Sequence, residues 1–181
     1  MTKADVNLPA GDIERWEAEE RAVRARMAAP GVSARSEVVG LSGDEFFAAI
    51  FAGRLPSIHI GQTLDIWPIR IADGVAVFQG RPALDHYNPL GTVHGGWIAT
   101  ILDSCVGCAV HSTLPSGKAF TTVELKINYV RGLTTNVPLL RAEGRVIHAG
   151  SRMATADGRL IGVDGKLYAH ASTTCFILDN K

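Results

Sequence analysis

The residues that could do chemistry in this chain lie in one stretch, His86–His111. Its first part is a turn-rich loop that carries Asn88 and leads through His94 to Gly95 and Gly96, where a helix is expected to begin. The first N–H groups of a helix have no intrahelical partners, and glycine lets another group come close to them. Such a helix start suits the developing oxyanion of an acyl group under attack.

Asp103 is the only carboxylate in the apolar stretch from Trp97 to Val110. The length of this stretch and the turn before it predict a buried helix that is too short and too interrupted to span a bilayer. Buried carboxylates are rare unless they are paired or take part in function. Asp103 is therefore a candidate nucleophile or general base. The alternative is a structural aspartate bonded to its neighbours or facing water.

His94 and Asp103 are nine residues apart. On an ideal helix that spacing is ~13 Å along the axis, and at ~100° per residue the two side chains point to nearly opposite faces. Within one chain they should not meet at one substrate atom. If both residues serve one site, Asp103 must come from a second copy of the helix, as in a two-fold dimer.

The pattern Asn88-Pro89-x-Gly91-x-x-His94-Gly95-Gly96, followed by Asp103, resembles the signature of the hotdog-fold acyl-CoA thioesterases. The similarity is closest to the PaaI-like, phenylacetate-pathway branch and covers roughly residues 60–178. It implies that Asn88 and His94 flank the site and that the N–H of Gly95 polarises the thioester carbonyl. It also implies that Gly96 belongs to the same helix start and that Asp103 of the partner subunit acts as nucleophile or general base.

The resemblance implies further site residues. Thr122 corresponds to a small hydroxyl-bearing position that orients water or the acid, although a β-favouring threonine is an equal alternative. The turn with Gly150 and Arg152 resembles the segment that holds the pantetheine and phosphate end of coenzyme A. Arg131 is a second candidate for phosphate binding, and for both arginines a surface role is the alternative. Coenzyme A is expected as part of the substrate, with no separate cofactor.

Neither a metal site nor a disulfide framework is expected from the three cysteines. Cys105 and Cys108 lie in the apolar helix with no second ligand pair, and Cys175 is the odd one. This usage fits a reducing compartment, and the N-terminus has no apolar signal region, so the expected location is the cytoplasm. A formal net charge of zero gives no support for a nucleic-acid partner or an anionic membrane.

The first third of the chain is predicted to form a helical extension, 1–58, before a hotdog domain, 59–181. Residues 1–11 are expected as a loose lead-in. A first helix, Asp12–Met27 with Asp12 as N-cap, has a thin apolar stripe and should pack on a surface; a partner or regulatory contact is the alternative. Ser42 begins a capping box with Glu45 before a phenylalanine-rich helix. Its aromatic cluster could line an acyl pocket, but packing on its own domain is favoured.

The rest of the chain predicts six strands and one long helix. Two strands, 63–72 and 75–81, flank the hairpin signal Asp73-Gly74. In the third, 119–130, alternation places Leu125 on one face and Thr122 on the other. The last three strands are 137–148, 152–163 and 167–178, with a bulge or short hairpin expected at Asp157-Gly158.

The absence of βαβ alternation predicts the α+β class, with an antiparallel sheet curled around the central helix, as the hotdog resemblance also implies. The expected function is hydrolysis of an aryl, arylacetyl or medium-chain acyl-CoA by a homodimer with shared active sites, assembled further into a homotetramer. A hotdog hydratase or dehydratase acting on a β-hydroxyacyl thioester remains an alternative. So does a non-catalytic acyl-CoA sensor.

Overall fold

The computed structural model describes residues 13–180, and the predicted lead-in and the predicted N-cap Asp12 lie outside this range. Four helices precede the sheet, and a fifth follows its second strand after a short 3-10 turn at Leu84–His86. The helices are α1 Ile13–Arg24, α2 Arg35–Val38, α3 Gly43–Phe51, α4 His59–Leu64 and α5 Gly95–Ser112.

Six antiparallel strands form one sheet in the order β1-β2-β4-β5-β6-β3, which confirms the predicted α+β hotdog architecture. The hairpin between β1 and β2 turns at Asp73 and Gly74, both with positive φ, as the sequence predicts. The strands are β1 Ile66–Ala72, β2 Val75–Gly80, β3 Lys118–Tyr129, β4 Leu140–Ala149, β5 Met153–Gly162 and β6 Leu167–Asp179.

The central helix α5 lies against the inner face of this sheet, and two facing glycines allow the close approach. Gly144 on β4 pairs directly with Gly158 on β5. A Cβ on Gly158 would lie 2.6 Å from Cγ1 of Val106, and one on Gly144 would lie 2.9 Å from the carbonyl oxygen of Cys105. At these two positions the sheet therefore presents only its backbone to the helix.

Three predicted strand features are wrong, and the first two concern the positions of turns and strand ends. The bulge or hairpin at Asp157-Gly158 is absent, because both residues pair regularly with β4 and the irregularities of that strand pair lie elsewhere. The glycine there serves helix packing instead of a turn. The first predicted strand also begins too early: Leu64 ends α4, whose capping residue Asp65 has φ +48° and accepts a hydrogen bond of 2.8 Å from the indole of Trp67.

The alternation predicted for β3 also fails at one point. The register with β6 shifts between Thr122 and Glu124, so Val123 bulges outward and is 60% exposed. This bulge inverts the alternation, and Thr122 comes to the same inner face as Leu125. The prediction that the two lie on opposite faces is therefore wrong.

The predicted first helix packs on the outer face of the sheet. Trp16 is 1% exposed under the guanidinium of Arg141. Glu20 is 2% exposed and accepts hydrogen bonds of 2.6 Å from the side chains of Gln79 and Arg81. The surface-packing interpretation is correct, but the contact includes a buried polar network that a thin apolar stripe does not predict.

The second predicted helix, α3, begins as the sequence indicates. The Ser42 hydroxyl accepts from the N–H of Glu45, whose carboxylate accepts from the N–H of Ser42. Phe46 and Phe47 of this helix lie against the ring of His111 near the end of α5. Within residues 13–180, no helix is long and apolar enough to cross a membrane.

Candidate active site

The loop before α5 is closed by hydrogen bonds that use the side chain of Asn88. Its Oδ1 accepts from the N–H of Leu90 at 2.8 Å, and its Nδ2 donates to the hydroxyl of Thr92 at 2.8 Å. The N–H of His94 donates to the carbonyl of His86 at 2.7 Å, which fixes the approach to the helix. Within one chain, Asn88 therefore organises its own turn.

His94 is the N-cap of α5. Its Nδ1 accepts a hydrogen bond of 2.8 Å from the N–H of Gly96. A Cβ on Gly96 would lie 2.9 Å from that nitrogen, so a glycine is needed for the ring to come this close. Because Nδ1 is an acceptor here, the neutral ring carries its proton on Nε2. His94 holds the helix start, as a positioning residue would.

Gly95 is the first residue of the helix, and its N–H makes no hydrogen bond within the described part of the chain. The hydroxyl of Tyr129 donates to the carbonyl oxygen of Gly95 at 3.1 Å. A Cβ on Gly95 would lie 3.1 Å from the Tyr129 ring. The free N–H has the surroundings expected of an oxyanion donor. Tyr129 was not predicted as a site residue, since its strand position carries no signal for this long-range contact.

Asp103 lies on the α5 face that meets β3. The hydroxyl of Thr122 donates to its Oδ1 at 3.1 Å, and the aspartate is only partly buried. The structure thus brings the predicted acid together with the predicted hydroxyl.

An aromatic ring and a thiol lie near this acid. The ring of Phe120 packs over Gly107, one helical turn beyond Asp103, and lies 5.4 Å from the ring of His111. Burial, together with the nearby charge of Asp103, raises the pKa of Cys108 to about 12. That thiol is therefore protonated near neutral pH and does not compete as a nucleophile.

Asp103 and Gly95 do not meet within one chain. They are eight residues apart on α5, about 12 Å along the axis. Their contacts on β3, Thr122 and Tyr129, are separated by about 20 Å of strand. Each chain therefore holds the free N–H and the carboxylate at two separate places.

The two predicted phosphate-binding arginines lie at different ends of the sheet. Arg131 follows β3 at the Gly95 end, where its N–H donates to the carbonyl of Tyr168. Arg152 lies in the β4–β5 connection at the other end, where its carbonyl accepts from the N–H of Ile177. Gly150 closes that connection through a bond from its N–H to the carbonyl of Met153. One chain does not bring these residues together.

The charged and thiol side chains of residues 13–180 form no cluster of three or more His, Cys, Asp or Glu residues that could hold a metal ion. Cys105 is buried, and its Sγ lies 3.2 Å from the carbonyl oxygens of Ala76 and Ala142. This cysteine is engaged in core packing between the helix and the sheet.

Comparison with known proteins shows which proteins this chain resembles. The model of the thioesterase superfamily matches residues 90–169, which include α5, the strands β3, β4 and β5, and the start of β6. The Caenorhabditis elegans protein F42H10.6, which is named as an inferred esterase, is 29% identical to this chain over 118 residues. The alignment covers 65% of this chain and 69% of that protein.

Two solved structures extend the comparison. The phenylacetic acid degradation-related protein of Ralstonia eutropha JMP134 has a TM-score of 0.66 and 28% identity, and covers 72% of this chain and 98% of its own. A Streptococcus pneumoniae TIGR4 thioesterase protein has a TM-score of 0.57 and 23% identity over 63% of this chain and 86% of its own.

The sheet wrapped around α5 is the hotdog fold. The matches support a hydrolase that acts on thioesters and that is similar to the PaaI-like thioesterases. The resemblance identified from the Asn-His-Gly-Gly-Asp pattern is thereby confirmed.

Proposed function

We propose that the protein hydrolyses acyl-CoA at a site shared between two subunits. The observation that carries this proposal is the separation of two prepared half-sites: a free N–H at Gly95 and an acid at Asp103, both held by β3. Hydrolysis of a thioester needs both a donor for the oxyanion and an acid that attacks or activates water. A two-fold copy supplies what each half lacks.

The edge strand β3 supports such a dimer. It is twelve residues long, and within residues 13–180 it pairs with β6 alone, while Tyr129 at its end is 54% exposed. Long exposed edge strands are templates for pairing with another chain. If β3 pairs antiparallel with its own copy about Leu125 and Lys126, Tyr129 lies next to Thr122 of the partner subunit. Asp103 of the partner subunit then reaches the helix start of Gly95.

The chemistry follows from this arrangement. The thioester oxygen accepts the Gly95 N–H, and the carbonyl carbon faces the carboxylate of the partner's Asp103. Either the carboxylate attacks, expels coenzyme A thiolate and leaves an anhydride that water hydrolyses, or it removes a proton from the water that attacks. Both routes end in the free acid and coenzyme A, and no further cofactor is required.

The coenzyme end of the substrate fits the same dimer. The Streptococcus pneumoniae structure was crystallised with coenzyme A, which makes this ligand a reasonable one here. Arg131 lies at the Gly95 end of β3, and Arg152 lies beside the opposite end of the sheet. Antiparallel pairing of β3 would bring Arg131 towards Arg152 of the partner subunit. The two guanidinium groups could then pair with the phosphates, next to the Gly150 turn.

The acyl group we propose is aryl, arylacetyl or medium-chain. The rings of Phe120 and His111 meet along α5 beyond Asp103 and would offer this group an apolar, aromatic surface. A hydratase remains the second candidate, but it would use His94 as a base, and Nδ1 of that ring is taken by the Gly96 N–H. This observation favours the thioesterase.

We also propose that two dimers form a homotetramer. We propose further that the protein works in a reducing compartment, because its three cysteines are free. Light scattering on the purified protein measures the assembly. A mass corresponding to the dimer alone would contradict the tetramer without affecting the shared site.

The test is a free-thiol assay on short, medium, long-chain and aryl acyl-CoAs. Wild type should release thiol. Asp103→Asn should have a kcat at least ~10³-fold lower than that of wild type while it remains dimeric. Asp157→Asn, an exposed carboxylate on the outer face, is the matched control and should keep full activity. Full activity of Asp103→Asn would contradict the mechanism. Acyl-CoA binding that is insensitive to Asp103, with no thiol release, would indicate a sensor.

Subunit complementation tests the sharing of the site. Asp103→Asn and Gly95→Val chains, each inactive alone, are co-expressed with different tags. Random pairing gives half heterodimers, each with one intact composite site, so about a quarter of the wild-type activity should return. If both residues act within one chain, no activity returns.

A further inference from the structure

One peptide group at the start of α5 is held from both sides. Its N–H, that of Gly96, donates to Nδ1 of His94 at 2.8 Å. Its carbonyl, that of Gly95, accepts from the Tyr129 hydroxyl at 3.1 Å. The two side chains come from different elements, the loop before the helix and the end of β3.

Two adjacent glycines need such contacts. Glycine has the widest conformational freedom of any residue, and the first turn of a helix frays most easily. Here the side chains of His94 and Tyr129 occupy the space that a Cβ on Gly96 or Gly95 would fill. Because these two residues lack a Cβ, the rings can come close to the backbone. Without the rings, the same freedom would leave the N–H of Gly95 poorly oriented.

We propose that Tyr129 is a positioning residue for hydrolysis, acting with His94 to fix the N–H of Gly95 that polarises the thioester carbonyl. This inference rests on the proposed function. A fixed donor lowers the barrier because it needs no reorganisation when charge develops on the oxygen. The contribution should therefore appear in kcat more than in KM.

The strand β3 holds both the helix start and the acid. Tyr129 binds the helix start that donates to the oxyanion, and Thr122 on the same strand binds the acid. In a dimer paired through β3, one rigid strand pair then sets the distance between the oxyanion donor of one chain and the carboxylate of the other. Tyr129 is thus the contact that fixes the oxyanion half-site to this strand.

The test compares Tyr129→Phe, which removes only the hydroxyl, with Tyr168→Phe as matched control. Tyr168 lies beside the end of β3, but its hydroxyl donates to Asp164 near the β5–β6 turn and not to the helix start. Tyr129→Phe should lower kcat about tenfold with KM within about twofold, as expected for one lost hydrogen bond that acts in the transition state. Tyr168→Phe should keep the wild-type kcat. Equal kcat for wild type and Tyr129→Phe would overturn the inference but leave the proposed function intact.

His94 provides an independent measurement. Asn is a good N-cap acceptor, so His94→Asn should retain kcat within about fivefold, whereas His94→Ala should lose more than tenfold. The losses of His94→Ala and Tyr129→Phe should not multiply in the double variant, because both hold one peptide group. If His94→Asn is as inactive as His94→Ala, positioning is excluded. If wild type itself releases no thiol, the proposed function fails, and the inference fails with it.

Discussion

The hydroxyl of Thr122 on β3 lies 3.1 Å from Oδ1 of Asp103 on α5 and donates to it. This contact exists because Val123 bulges out of the strand and turns Thr122 to the inner face. The strand β3 thereby holds the acid in a fixed position. The same strand forms the edge of the sheet through which we propose that the dimer assembles. The bulge is a feature of the site as much as of the sheet.

Thr122→Val should lower kcat about tenfold, because it removes the donor to the carboxylate with little change in volume. Thr122→Ser keeps the hydroxyl and should restore activity to within about threefold of wild type. The exposed neighbour Thr121 supplies the control Thr121→Val, for which kcat should not change. Thiol release under saturating acyl-CoA measures all three. A fully active Thr122→Val would show that this hydrogen bond is only structural.

Features that depend on neighbouring residues were predictable from the sequence. The helix α5 follows from its apolar run, the Asp73-Gly74 hairpin from its turn chemistry, and the Ser42 cap from its pairing with Glu45. The separation of His94 from Asp103 also follows from helix geometry alone. These are local rules, and they hold here.

Features that depend on contacts between distant segments were not predictable. No residue type signals the bulge at Val123, so Thr122 was placed on the wrong face. The glycine at 158 indicated a turn, although it serves the packing of Val106. The contact of Tyr129 with Gly95 joins residues thirty-four positions apart, and only the folded sheet brings them together.

Gly158→Ala should destabilise the fold by about 1–3 kcal/mol, because the added methyl group lies within contact distance of Val106 on the central helix. Denaturant unfolding at a fixed protomer concentration measures the loss. Gly132→Ala is the matched control, since nothing lies within 4 Å of a Cβ there. Combining Gly158→Ala with Val106→Ala removes the clashing methyl and should recover part of the loss. A Gly158→Ala protein as stable as Gly132→Ala would contradict the packing argument.

Glu20→Gln should detach or loosen α1 and cost about 2 kcal/mol, because the buried Gln79 and the partly exposed Arg81 side chains lose the carboxylate that pairs with them. Glu17→Gln is the control on the same helix. Its carboxylate is 37% exposed and lies 4.0 Å from the Arg81 guanidinium, a longer and weaker contact than that of Glu20. Limited proteolysis between α1 and α3 reports the detachment. Equal cleavage rates for the two variants would show that the apolar contact of Trp16 alone holds the helix. Thiol release should survive in both variants, because neither residue lies near the half-sites.

His111 should make stability fall between pH 7 and pH 5. Burial among the rings of Phe46, Phe47 and Phe120 lowers the pKa of this histidine from 6.5 to about 4. The unfolded chain therefore binds the proton more tightly than the folded one. The contribution of the neutral His111 ring to the free energy of unfolding is fully present above pH 6.5 and is lost as the pH falls towards 4. The loss at pH 5 is about 2 kcal/mol. His111→Phe cannot take up this proton, so its loss of stability from pH 7 to pH 5 should be smaller than that of wild type by this amount. Unfolding by urea at both pH values measures the difference. An unchanged pH dependence in His111→Phe would show that the ring accepts its proton within the folded cluster.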